Sequence, residues 1–147
     1  MKFVTNRSNL HVFRLQQLQS IGWDNMTDNE KSEYMDYAAK GAYNYTDLNR
    51  VESNVAELAS MLGLTLTTKT NWTQWDVPTE SEMERYLGNV AVLRDTVIDR
   101  LGDAASDLRF PRLPNTMNSI TFANANSIEE ILYVVYTCCD DNGILGS

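Results

Sequence analysis

A mainly helical fold is predicted by three features of the sequence: apolar residues recurring at three- and four-residue intervals, capping boxes at the head of two such stretches, and glycines at their ends. The expected architecture is a small helical domain of about four to five helices with a short two-stranded β element. With 147 residues, 43% hydrophobic and 22% charged, the chain has the size and composition to bury one core without metals or disulfides. A single domain over 1–147 follows, with a helical N-terminal arm (1–40), a helical core (41–104), an extended connector (105–118) and a C-terminal helix (119–143).

In the arm, Ser8 precedes a run in which Val12, Leu15 and Leu18 share a face. Thr27-Asp28-Asn29-Glu30 is a capping box opening a short helix through Met35 and Tyr37, so the arm is broken near Gly22. The clearest core helix runs from Thr46 to Gly63, where Leu48, Val51, Val55, Leu58 and Leu62 fall at helical spacing between Asn49, Arg50, Glu52, Ser53, Asn54 and Glu57. Thr46 or Asp47 is its expected cap and Gly63 its stop. Thr79-Glu80-Ser81-Glu82 is a second capping box, and from it Met83, Tyr86, Leu87, Val90, Val97 and Leu101 trace a stripe ending at Gly102. The final helix carries Phe122, Ala125, Ile128, Ile131, Leu132 and Val135, with Thr121, Asn124 or Ser127 as cap and Gly143 as stop.

Between the helices, Leu64-Thr65-Leu66-Thr67-Thr68-Lys69 alternates with the period of a strand. A lone strand leaves its backbone unsatisfied, and Lys2-Phe3-Val4-Thr5 is the expected partner. DLRFPRLPNTMN, from Asp107 to Asn118, contains Pro111 and Pro114 and reads as an extended connector.

Charge and composition narrow the function. The net charge of −8 repels phosphate backbones and anionic lipid, and the basic residues never form a run, Arg109 with Arg112 coming nearest. Nucleic acid is not an expected partner. No stretch approaches the roughly 20 apolar residues of a membrane span, and MKFVTNRSNLHVF lacks the apolar core of a signal peptide, so no membrane association is expected and the chain should stay where it is made. Cys138 and Cys139 are adjacent, a spacing that strains a disulfide, and no second cysteine pair completes a metal site. Free thiols in a reducing compartment fit that pattern.

Reactive constellations are sparse. His11 is the only histidine and falls on a predicted helix surface far in sequence from either cysteine. Glu80, Glu82 and Glu84 suit a helix N-terminus, and Asp140 with Asp141 a solvated end. Gly41, Gly63, Gly88 and Gly102 are isolated and form no phosphate loop. Asp140-Asp141-Asn142-Gly143 lacks the spaced ligands of a calcium loop. No catalytic, cofactor-binding or metal-ligating residue is singled out, and a non-enzymatic protein is expected. The unusual composition is aromatic: Tyr43 and Tyr45 precede one helix, and Trp72 and Trp75 stand in the loop before another. Such residues close a core, the commoner outcome in a domain this small, or serve as interface anchors.

KGAYNYTDLNRVE (40–52) and LTTKTNWTQWDVPTESEMERYLGNV (66–90) resemble a family of small proteins encoded in the tail regions of bacteriophages and prophages of Gram-positive bacteria. FVTNRSNLHVFRLQQL resembles the family's start more loosely, and SITFANANSIEEIL its final helix, so nearly the whole chain is covered. At the end, YVVYTCCDDNGILGS departs from the tyrosine- and glycine-rich tail that relatives often carry. The resemblance implies a structural component of the virion, made in the host bacterial cytoplasm and placed in the tail, the baseplate or the fibre attachment, whose partners are other phage structural proteins or further copies of itself. It supplies no binding residue. The alternative reading is a small acidic cytoplasmic adaptor or regulatory domain, motivated by the charge alone.

The periodicity makes a direct prediction. Val55→Asp forces a charge into the apolar stripe and should unfold the chain, as read by circular dichroism on heating. An unchanged melting temperature would mean that the wrong face has been placed inside.

Overall fold

The computed structural model describes residues 1–41, 43–118 and 120–139, and over these the chain forms five α-helices. They are α1 (Asn9–Ile21), α2 (Asp28–Gly41), α3 (Tyr45–Met61), α4 (Glu80–Leu101) and α5 (Phe122–Cys139), with short 3-10 turns at Trp23–Asn25 and Gly102–Asp107. α1 packs on α2, while α3, α4 and α5 pack on one another.

The α1–α2 hairpin turns at Gly22, whose φ of 84° is accessible to glycine at little cost. Thr27 and Glu30 form the expected reciprocal box at the head of α2, with bonds of 2.9 and 3.1 Å. The helix then runs further than expected, to Gly41. Leu15, Leu18 and Met26 are buried in this part of the chain, and Arg14 grips Glu33 across the hairpin with two bonds of 2.6 and 2.9 Å. The Arg14 bond also holds the Glu33 carboxyl below its ordinary range.

The cap of α3 lies two residues before Thr46, the earlier of the two expected caps. Asn44 is the N-cap, and Asp47 is the third residue of its capping box, returning a carboxylate to the Asn44 amide at 3.0 Å. At the other end Gly63 has φ 71° and donates to the Ser60 carbonyl, while Leu64 donates to Ala59, a double bond pattern that closes the last turn. α4 starts at the Thr79–Glu82 box and yields at Gly102, as the sequence predicts. Of the three caps proposed for α5, Thr121 is the one used, its hydroxyl accepting from the Asn124 amide at 3.1 Å. The expected stop at Gly143 lies outside the described residues.

The core is built from the predicted stripes. Leu48, Val51, Val55, Leu58 and Leu62 of α3 meet Tyr86, Leu87, Val90 and Val97 of α4 and Ile128, Ile131, Leu132 and Val135 of α5. Leu93 joins them, and the connector lays Leu108, Phe110, Leu113 and Met117 against the cluster. At roughly 1.5–3 kcal/mol for each fully buried aliphatic side chain, this contact dominates the stability.

The expected two-stranded β element is absent from the described residues. Residues 2–7 and 64–72 form neither helix nor strand, and helix side chains, rather than each other, bind several of their backbone groups. Asn54 donates to the Lys2 carbonyl at 2.7 Å, and Glu129 accepts from the Val4 amide at 3.0 Å. Asn126 both accepts from the Arg7 amide and donates to its carbonyl, each at 2.9 Å. In the other segment, Glu52 accepts from the Lys69 amide at 3.0 Å, and Asn89 and Arg85 donate to the Thr67 carbonyl at 2.7 and 2.9 Å. Alternation of sequence reports extended backbone; it does not report what pairs with it.

Beneath the first segment lies a buried group of four charges. Arg7 reaches Asp47 at 3.0 Å and Glu129 at 2.5 Å, and Arg50 reaches the same two acids at 2.5 and 2.8 Å. Two cations face two anions, so the cluster is neutral, and the Asp47 and Glu129 side chains are fully enclosed. Burial alone disfavours the charged Arg50, but its bonds to Glu129 and Asp47 win and hold the guanidinium firmly protonated. Removing one member strands its partners: Glu129→Ala should cost roughly 3–5 kcal/mol, read as a lowered urea midpoint. A midpoint within error of the parent would show that the four charges do not depend on one another.

Candidate functional site

A groove of about 610 Å³ opens where the head of α3, the 72–78 loop, the head of α4 and the end of the connector converge. Its walls are set by local bonds. Trp72 is tied down by Asn49, whose amide donates to the Trp72 carbonyl at 2.9 Å and accepts from its N–H at 2.7 Å. Its indole Nε1 donates to Glu52 at 2.6 Å, and Glu52 in turn accepts two bonds from Arg85 at 2.6 and 3.0 Å. Those bonds keep the Arg85 guanidinium firmly protonated. Lys69 lies over the Trp72 ring at 4.0 Å, in cation–π range, and reaches Asp76 at 3.8 Å.

From that anchor the chain makes a tight turn. The Thr73 amide donates to the Asp76 carboxylate at 2.7 Å, the Asp76 amide returns to the Thr73 carbonyl at 3.1 Å, and the Trp75 amide donates to the Thr73 hydroxyl at 3.3 Å. The turn leaves Trp75 82% and Val77 86% exposed, before Pro78 leads into α4. Tyr43 forms the opposite wall. Its hydroxyl shares a short hydrogen bond with the hydroxyl of buried Tyr86, and the Arg7 guanidinium lies 5.6 Å from its ring centroid. Leu48, Met83, Met117 and Ile120 complete an apolar floor.

The four aromatics named from sequence therefore divide. Trp72, 3% exposed, closes the core and also lines the groove; Tyr43 is half-buried in its wall. Tyr45 lines the groove with an exposed ring, and Trp75 stands outside the lining altogether. Sequence reading missed Met83, Met117 and Ile120 as groove residues, as well as the acids that hold the walls. Glu52 and Glu129 carried a signal: each falls at helical spacing within an apolar stripe (48, 52, 55 and 125, 129, 132), where a solvated carboxylate has no place.

Asp76, Tyr43 and Tyr45 are the titratable side chains of the lining, and Asp76 and Tyr43 are engaged by protein partners. The lining thus offers an apolar floor beside a few polar side chains. Cys138 and Cys139 are buried on α5, neither in a disulfide, and burial pushes the Cys138 thiol up. His11 falls within α1, its side chain outside the described residues, as are Asp140 to Gly143. Among the described residues no group of three His, Cys, Asp or Glu stands close enough to hold a metal ion, and no helix is long and apolar enough to cross a membrane.

Comparison with family models, with curated proteins and with solved structures found no match.

The tyrosine pair behind the groove makes stability depend on alkaline pH. Burial pushes both phenols above their ordinary value near 10. Above that value the unfolded chain gives up protons that the folded chain keeps, so stability is full below about pH 10 and falls as pH rises beyond it. Urea midpoints between about pH 9 and about pH 11 should decline, and Tyr43→Phe with Tyr86→Phe should flatten the decline. An equal decline in the double variant would assign the effect to other groups.

Proposed function

We propose that the chain is a non-enzymatic structural or assembly component of a bacteriophage tail or baseplate, acting by packing against other virion proteins. The observation that carries this reading is the pairing of two projecting apolar side chains, Trp75 and Val77, with a neighbouring groove whose walls are already bonded in place. Tryptophan and tyrosine dominate the energy of protein interfaces, and a turn held by its own hydrogen bonds loses little freedom on docking. The tail setting comes from the sequence resemblance, and the two stretches that carry it, 40–52 and 66–90, are also the ones that build most of the groove. Two buried carboxylates support the non-enzymatic part: Glu52 of α3 and Glu129 of α5 are occupied in holding residues 69–72 and Val4 to the helices.

Mass spectrometry of purified virions should detect the chain, and Trp75→Ala with Val77→Asp should deplete it from particles without lowering its melting temperature. For an anchor of this kind the loss is roughly 2 kcal/mol of binding, about 30-fold in affinity. A second reading, an acidic adaptor that engages a basic partner in the host cytoplasm, draws on the net charge of −8. Particles free of the chain, together with a stable complex in host lysate, would favour it over the tail role.

A further inference from the structure

The groove continues into a second cleft. The two share Pro78, Met83, Met117 and Asn118, and the second adds Glu80 and Glu84 from the first turns of α4. Together the linings carry three carboxylates, Asp76, Glu80 and Glu84, and no lysine, arginine or histidine. The charges are not equivalent. Asp76 is already paired with Lys69 at 3.8 Å and tied into its turn, so the unbalanced negative charge gathers at the Glu80–Glu84 end, one helical turn apart on an exposed face. Arg112 lines a third cleft that adjoins the second through Asn115, Thr116 and Asn118, at the connector side and away from the α4 carboxylates in the lining.

We propose that the joined groove docks a short extended segment of a partner protein in which a lysine or arginine flanks an apolar side chain. The apolar side chain enters over Met83 and Met117, whose unbranched, polarizable side chains adapt to differing shapes, and the cation lies against Glu80 and Glu84. Gln74 and Asn118, on the walls, each carry a donor and an acceptor suited to peptide backbone. This inference deepens the packing role proposed above and rests on it. A second copy of the chain fits poorly. Its net charge is negative, and its own extended basic stretch, Leu108–Leu113, has Leu108, Phe110 and Leu113 committed to its core. An anionic ligand meets the same repulsion at the rim.

The test pans a random peptide display library on the full chain, then follows individual selected peptides by fluorescence polarisation and by methyl resonances of the six methionines. Selected peptides should place Lys or Arg beside an aromatic or aliphatic residue, shift Met83 and Met117 while leaving Met26 and Met61 in place, and bind more weakly as salt rises. Glu80→Gln with Glu84→Gln, both exposed and so harmless to the core, should lower affinity roughly two- to tenfold, while loss of their charge at the head of α4 lowers the melting temperature by no more than a few degrees. Acidic or uncharged selections, shifts confined to other methionines, or failure to enrich any peptide would overturn the inference. Virions that contain the chain while panning fails leave the packing role standing, whereas virions lacking the chain remove that role even if basic peptides bind.

Discussion

Extended backbone in this molecule is secured by helix side chains, and the rest of the structure depends on that substitution. A buried amide or carbonyl left without a partner costs about 1–3 kcal/mol, and a helical protein has no neighbouring strand to offer. Here Asn126 serves Arg7 and Asn49 serves Trp72 in the same way, each giving a proton to the residue's carbonyl and taking one from its N–H. A carboxamide is the side chain that carries both functions in one plane, so it reproduces what an adjacent strand would supply. Glu52 and Glu129 perform the acceptor half of that work for Lys69 and Val4, and their charge is balanced by Arg85 for the first and by Arg7 and Arg50 for the second.

This arrangement links the interior to the groove. Glu52 faces inward on α3, yet its second oxygen holds the Trp72 indole, so the loop that presents Trp75 is positioned from the core outward. Tyr43 joins the groove wall to Tyr86 and lies against Arg7, which belongs to the four-charge cluster. Such buried pairs are seldom a net source of stability against an apolar core of equal volume. Their contribution is to orient: each fixes which residue of an extended stretch sits over which helix turn, and the surface inherits that register.

Much of the helical plan was legible in the sequence because it is local. Spacing, capping boxes at Thr27 and Thr79, and the glycines at 63 and 102 involve residues within a few positions of one another, and the structure uses them all. The groove was legible only in part. Tyr43, Tyr45, Trp72 and Trp75 stood out by composition, but their division into wall, rim and core depends on Asn49 and Glu52, which read as ordinary solvent-facing residues of an amphipathic helix. The strand reading of 64–69 failed for a related reason. Its alternating pattern is genuine, with Leu64 and Leu66 against the core, while its hydrogen-bonding partners sit on helices that no period in the segment itself can reveal. Polar residues at stripe positions were the available sign.

The contact between Arg7 and Glu129 spans 122 residues of chain, which bears on how the molecule is made. A ribosome releases the chain from its N-terminus, and the α1–α2 hairpin is built from contacts near in sequence that can form as soon as both helices have emerged. Val4 and Arg7 wait longer: Asp47 becomes available to Arg7 early, but Asn126 and Glu129 are synthesised last among their partners. Until α5 has been made, Val4 and Arg7 lack Asn126 and Glu129, so the four-charge cluster can close only after that helix has emerged.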